Sequence, residues 1–274
     1  MSRVLAASIL ALTLAIPLGA VNTKYVVERV ESSGLGELSN EQAARIRTLL
    51  IGKPYDPDHS GQFFEEVREV LQDSGYLQAW VDKPSILPLR TNEDPIPIVL
   101  SFVLEVGLCY RAGKIEVLGV DASSAAEVRS LIPLQTGEIF DVRKVRQGMK
   151  AIKTWYAARG FINEVTEPSQ YFDTDAKTVS LQLNITPDAC FHTGTIEVAG
   201  MDDASAAQLA HLIPLEAGAI FTPDKMNEGI EAVKKWLATH SFPRARVEPH
   251  LAIDQTAKTV SLKLFVDADP KYRQ

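Results

Sequence analysis

The sequence predicts an α+β protein of three tandem β-α-α-β-β modules, each placing two helices on a three-stranded mixed sheet. Three observations predict it. The second and third copies superimpose at an offset of 81 residues without a gap, and 33 of the 71 positions from Gly113 to Leu183 are identical. Turn and cap residues recur at matched positions in every copy. The apolar pattern is β-rich over short runs and steps by three and four over longer ones, the marks of strands and helices. Periods of this length denote tandem structural units.

The first twenty residues stand apart. Arg3 supplies a positive charge, Val4 to Ile16 is an almost unbroken apolar run, and Pro17-Leu18-Gly19-Ala20 offers a turn and a small residue for cleavage. This is the layout of a cleaved secretory signal peptide, spanning 1–20. The run is shorter than the roughly 20 apolar residues of a spanning helix, and no cysteine follows it to carry a lipid. The modules then occupy 24–107, 110–187 and 191–268, with a tail at 269–274. The first is the most diverged copy, at an offset of 85: Gly34 answers Gly119, Gly52 answers Gly137, Tyr55 answers Phe140, and Gly75-Tyr76 answers Gly160-Phe161. Near its end the offset falls to 80, at Val99 against Val179, so five extra residues sit in a loop around Leu87 to Pro97.

Each module opens with a strand, at Tyr25 to Val30, Lys114 to Leu118 and Thr195 to Ala199, closed by Gly34, Gly119 or Gly200. Ser39, Ser124 and Ser205, each followed three residues on by Gln42, Glu127 or Gln208, read as capping boxes for a short first helix. Pro133 and Pro214 end it in two copies. A loop with Gly52, Gly137 or Gly218 leads to a buried aromatic, Tyr55, Phe140 or Phe221, and then to a cap, Asp56, Asp141 or Thr222. The longer second helix carries an apolar stripe: Phe64, Val67, Val70, Leu71; then Val145, Met149, Ile152, Trp155, Tyr156; then Met226, Ile230, Val233, Trp236, Leu237. Gly75 and Gly160 end it, with Ser241 in the third copy. Two strands finish each module, expected at Tyr76 to Lys83 and Val99 to Val106, Phe161 to Glu167 and Thr178 to Ile185, and Phe242 to Glu248 and Thr259 to Val266.

The order β-α-α-β-β, with Ile115, Val117, Gly119, Gly137, Phe140, Gly160 and Phe161 and their counterparts, resembles the polypeptide-transport-associated (POTRA) domain. Such domains stand in series in the periplasmic parts of outer-membrane barrel-assembly and surface-antigen proteins. The resemblance covers essentially everything after residue 20 and implies a polypeptide-binding role. A transmembrane barrel needs many strands of about ten residues, and the sequence reaches Gln274 soon after the last strand. Only the binding half of the family's role is therefore carried over. RNA-binding KH domains share the strand and helix order, but their Gly-x-x-Gly loop is absent from Ile51-Gly52-Lys53-Pro54, Thr136-Gly137-Glu138-Ile139 and Ala217-Gly218-Ala219-Ile220. A net charge of −7 also argues against nucleic acid.

Catalysis finds no constellation. His59, His192, His211, His240 and His250 share no repeat-equivalent position and no metal-ligand spacing. No cofactor and no metal are expected. Trp155 and Trp236 read as core, and Lys177 and Lys258 as exposed flanks of a turn. Cys109 and Cys190 are repeat-equivalent, so they stand a module apart, too far for a disulfide, which needs Cα atoms within about 7 Å.

Binding is expected at sheet edges. Pro84, Pro168 and Pro249 fall near the end of the second strand, and proline is tolerated mainly on edge strands. The second strand is therefore the expected edge, open to a client segment that adds as a further strand. The same prolines also suit a simpler task, blocking aggregation. The binding residues named on this basis are Ile162, Asn163, Glu164, Val165 and Thr166 in the second module and Arg244, Ala245, Arg246 and Val247 in the third. The expected function is a non-enzymatic periplasmic scaffold for outer-membrane protein assembly or secretion, binding extended clients or assembly proteins, with outer-membrane association only through a partner. Two alternatives stand beside it: an accessory subunit with one fixed membrane-protein partner, and a barrel-less remnant of a larger assembly protein.

Overall fold

The computed structural model describes residues 24–240 and 242–267. The expected signal segment 1–20, Ser241, position 268 and the tail 269–274 lie outside the described residues. Two compact units are present: the first runs through Val70 and takes in Ala79–Val106, and the second holds Leu71–Gln78 and runs on from Gly107.

The first unit contains β1 (Tyr25–Ser32), α1 (Asn40–Leu50), β2 (Pro54–Tyr55), α2 (Ser60–Phe63), the start of α3 (Glu65–Gln72), β3 (Trp80–Pro88) and β4 (Ile96–Glu105). Its sheet has the order β2-β1-β4-β3. The second unit contains two copies of one plan: β5 (Arg111–Leu118), α4 (Ala122–Ser130), α5 (Val142–Ala157), β6 (Val165–Asp173) and β7 (Thr178–Thr186), then β8 (His192–Ala199), α6 (Asp203–Ala210), α7 (Pro223–Thr239), β9 (Arg246–Asp254) and β10 (Thr259–Asp267). Their sheets are separate, in the orders β5-β7-β6 and β8-β10-β9. The last strand of each module sits in the middle, parallel to the first strand and antiparallel to the second.

Burial explains the order. The central strands alternate: Val179, Leu181, Leu183 and Ile185 in β7, and Val260, Leu262, Leu264 and Val266 in β10, are all buried. The helix stripes meet them through Val145, Ile152 and Tyr156, and through Ile230, Val233 and Leu237. Tyr55, Phe140 and Phe221 are fully buried, as the repeat predicts. The closing glycines answer a steric demand. At Gly119 (φ +87°) a Cβ would lie 2.0 Å from the Ile185 carbonyl oxygen, and at Gly200 (φ +94°) 2.1 Å from that of Val266. Trp155 and Trp236 are half-buried against their cores, with the Arg159 guanidinium 3.7 Å from the Trp155 ring and His240 stacked on Trp236 at 4.0 Å.

Three expectations are corrected. Only Ser39 forms a capping box, with Gln42. In the other modules the caps are Asp121 and Asp202, which accept the amides of Ser124 and Ser205 and also their hydroxyls. An aspartate three residues upstream outcompetes the serine and starts the helix a turn earlier. The second helix of the first copy is split into α2 and α3, with Phe64 of the stripe at the break and Val67, Val70 and Leu71 in α3; Gly61 weakens the initial turn, and the helix re-forms at Glu65. Finally, the second strands run from Val165 to Asp173 and from Arg246 to Asp254, later than expected. The helix ends are the cause: Phe161 and Phe242 donate their amides back to Tyr156 and Leu237, and the chain turns for three more residues before it extends.

Candidate polypeptide-docking edges

In each module the two outer strands differ in what their free flanks meet. The flank of the first strand is closed near its start by the glycine loop. Gly52, Gly137 and Gly218 donate to the carbonyls of Val27, Ala112 and Thr193, and those residues donate back to Lys53, Glu138 and Ala219. Positive φ at the three glycines, +81°, +88° and +80°, makes this return possible. β2 and the bridges Arg111–Ile139 and His192–Ile220 are the same device, which sequence reading missed because it involves only one or two residues per module. The flanks of β3, β6 and β9 have no strand beside them among the described residues.

The prolines fix which backbone groups face these open flanks. Pro168 stands opposite Leu183, and Pro249 opposite Leu264. Proline has no N–H, so these are pairs in which neither residue bonds across the ladder. Amide direction alternates along a strand. Thr166, Gln170 and Phe172 in β6, and Val247, Leu251 and Ile253 in β9, therefore also turn their backbone groups outward. Pro168 and Pro249 do not end their strands, as their sequence position suggested. They interrupt the row of outward donors in the middle.

The residues expected to bind are divided by this geometry. Val165, Thr166, Arg246 and Val247 open the edge strands. Ile162 and Asn163 lie in the preceding turn: Ile162 packs against the core of the third module, and Asn163 Nδ2 donates to Asp188 at 3.1 Å. Glu164 accepts the Thr166 hydroxyl. Arg244 and Ala245 also precede the strand, and Ala245 and Val247 pack against their own core. Sequence reasoning missed the outer half of each edge strand, where Tyr171, Phe172, Leu251 and Ile253 are exposed. The signal was present as apolar residues beyond each proline, hidden by the assumption that the proline ended the strand.

The first module offers a different shape. Between the split helix and the edge strand lies a groove of about 510 Å³, lined by Phe64, Glu65, Arg68, Trp80, Val81 and Pro84 among others. Trp80 is 56 % exposed at its mouth, and the Glu65 carboxylate pairs with Arg68.

Among the described residues no three His, Cys, Asp or Glu side chains gather as a metal site, and no helix is long and apolar enough to cross a membrane. Cys109 and Cys190 are free thiols, each near a main-chain carbonyl, of Ser74 at 3.6 Å and of Arg159 at 3.4 Å.

The family model of POTRA, the surface antigen variable number repeat, matches residues 110–188 and 191–269, more than half of the chain. The chain belongs to the POTRA family. The first module lies outside these matches and is joined to the POTRA plan by its element order. A putative outer membrane protein assembly factor of Treponema pallidum is 21 % identical over 165 residues, 60 % of this chain and 20 % of that protein. Outer membrane protein assembly factor BamA of Buchnera aphidicola is 20 % identical over 220 residues, 77 % of this chain and 36 % of that protein. The chain thus spans about a fifth to a third of the length of the curated relatives it matches. The crystal structure of Haemophilus influenzae BamA POTRA3-5 has a TM-score of 0.62 at 16 % identity, covering 89 % of this chain and 96 % of that one, which shows a shared fold.

Proposed function

We propose that this chain is a non-enzymatic periplasmic scaffold that docks extended client or partner segments by β-augmentation during outer-membrane protein assembly or secretion. The observation that carries the reading is the open flank of the second strand in all three POTRA-type modules. An extended segment placed there completes backbone hydrogen bonds that the fold leaves to solvent. Three such flanks on one chain raise the effective concentration for a client with several segments. The names of the relatives, outer membrane protein assembly factors, support the setting. The modules are taken as domains at 24–107, 110–187 and 191–268, and export through the N-terminal segment as the route to the periplasm.

Leu251→Pro tests the reading. Leu251 is exposed and its amide faces outward, so proline removes a docking donor without touching the β9–β10 ladder. Gln170→Pro does the same in β6. The expected result is weaker binding of extended peptides by the double variant at nearly unchanged thermal stability. Unchanged binding would refute the reading.

A further inference from the structure

Between α4 and the end of α5 in the second module lies a cavity of about 550 Å³ that takes no residue from β6. Trp155, Phe161 and Pro187 give it apolar walls, and Asp121, Glu127 and Arg159 set two carboxylates against one guanidinium. Tyr156 lines it as well. Its side chain is only 3 % exposed, and its hydroxyl is buried without a hydrogen-bond partner among the described residues. A buried hydroxyl is costly to leave unpaired. Burial, with the Glu164 and Asp121 carboxylates nearby, pushes the Tyr156 phenol up, so it stays neutral.

The repeat shows that packing does not require this hydroxyl. The same position is Leu71 in the first module and Leu237 in the third, and both are fully buried. Glu127 gives way to Gln42 and Gln208, and Arg159 to Ser74 and His240. The third module keeps the tryptophan and a ring stacked on it, His240 on Trp236 at 4.0 Å, but has neither the acid nor the phenol. The second module alone combines all three.

Arg159 shows what the cavity accepts. Its guanidinium lies 3.7 Å from the Trp155 ring centre, a cation over an aromatic face. As a hydrogen-bond donor it is poorly placed. Nη1 is spent on the Trp155 carbonyl of its own helix at 3.1 Å, and Nη2 stands 3.7 Å from Glu127, beyond hydrogen-bond reach. We infer that this cavity is a binding site for a guanidinium on an apolar stem. The ligand displaces Arg159 from Trp155, donates to the Glu127 carboxylate and the Tyr156 hydroxyl, and lays its stem on Phe161 and Pro187. A planar guanidinium presents two acceptors with a rigid fork, which a compact ammonium lacks. Arg159 is the internal stand-in that competes with the ligand. The site shares no residue with the strand edges.

The test titrates the full chain with N-acetylarginine amide, its uncharged isostere N-acetylcitrulline amide, and agmatine, following the Trp155 indole N–H by nuclear magnetic resonance. A saturable shift is expected with the arginine amide, and binding about tenfold weaker with the citrulline amide. Glu127→Gln and Tyr156→Phe should each weaken arginine amide binding about tenfold. Arg159→Ala should tighten it by removing the competitor. Tyr156→Phe keeps the packed ring and removes an unpaired hydroxyl, so its melting temperature should not fall. Tighter binding of the arginine amide than of agmatine assigns the guanidinium to a polypeptide, the reverse assigns it to a free small molecule, and either supports the site. Equal binding of the citrulline amide, binding unchanged by Glu127→Gln or Tyr156→Phe, or weaker binding to Arg159→Ala overturns the inference and leaves augmentation standing. So does the absence of any shift in the Arg159→Ala chain.

Discussion

Replacing Gly119 by alanine separates two costs that the fold imposes at the end of β5. Gly119 and Gly137 have nearly the same backbone conformation, φ +87° and +88°. An alanine at either pays the left-handed penalty of about 1–2 kcal/mol, offset by about 0.4–1 kcal/mol from the stiffer unfolded chain. At Gly137 nothing lies within 4 Å of the added Cβ, so the net loss should be about 1 kcal/mol. At Gly119 the Cβ would sit 2.0 Å from the Ile185 carbonyl oxygen and must retreat by more than an ångström to reach ordinary contact. The obstacle is backbone of the central strand, which cannot swing aside. Overpacking adds about 1–3 kcal/mol, and each ladder hydrogen bond stretched in the retreat adds about 1 kcal/mol. The total is about 3–5 kcal/mol for Gly119→Ala. Urea unfolding followed at Trp155 measures it, with Trp80 and Trp236 replaced by phenylalanine in the reference and both variants. Equal losses at the two glycines would refute the close-approach argument.

Three more predictions follow from the packing and the caps. Phe221→Ala empties a fully buried ring site and should cost about 3–5 kcal/mol, read by urea unfolding at Trp236. The Ser205 amide and hydroxyl hold the Asp202 carboxyl below its usual range, so its contribution is complete above the unfolded carboxylate pKa of about 3.9 and lost as pH falls through the folded pKa. Asp202→Ala should therefore lower the melting temperature at pH 7, and the gap from the parent should close in strong acid; a gap independent of pH would contradict the cap. Burial pushes the Cys109 thiol up, so Cys109 should react with a thiol reagent more slowly in the native chain than after denaturation without reductant. Finding no reactive thiol on denaturation would reveal a disulfide.

Much of the fold was legible in the sequence because the repeat multiplies weak signals. One Gly-x-x-Phe says little, but Gly52 with Tyr55, Gly137 with Phe140 and Gly218 with Phe221 mark the same turn and the same buried ring. What escaped reading is local competition. Ser124 and Ser205 resemble caps until Asp121 and Asp202, three residues earlier, take the amides first. Pro168 and Pro249 look like strand ends because the missing N–H is visible in sequence and its direction is not. In register, that N–H would have faced solvent, and the strands continue to Asp173 and Asp254. The same misreading left Leu251 and Ile253 out of the candidate site. The turn after each second helix is a separate cause: it takes Ile162 and Asn163 off the edge, the one to pack against a neighbouring core and the other to pair with Asp188.

The most direct measurement of the docking account is amide hydrogen exchange at Leu251 and Ile253, with Ala252 between them as the internal reference. Ala252 lies in the ladder opposite Ser261 and should exchange slowly whether or not peptide is present. Leu251 and Ile253 should exchange quickly in the free chain and become protected when an extended client peptide is added. Quick exchange at both residues with saturating peptide bound would show that the segment docks elsewhere.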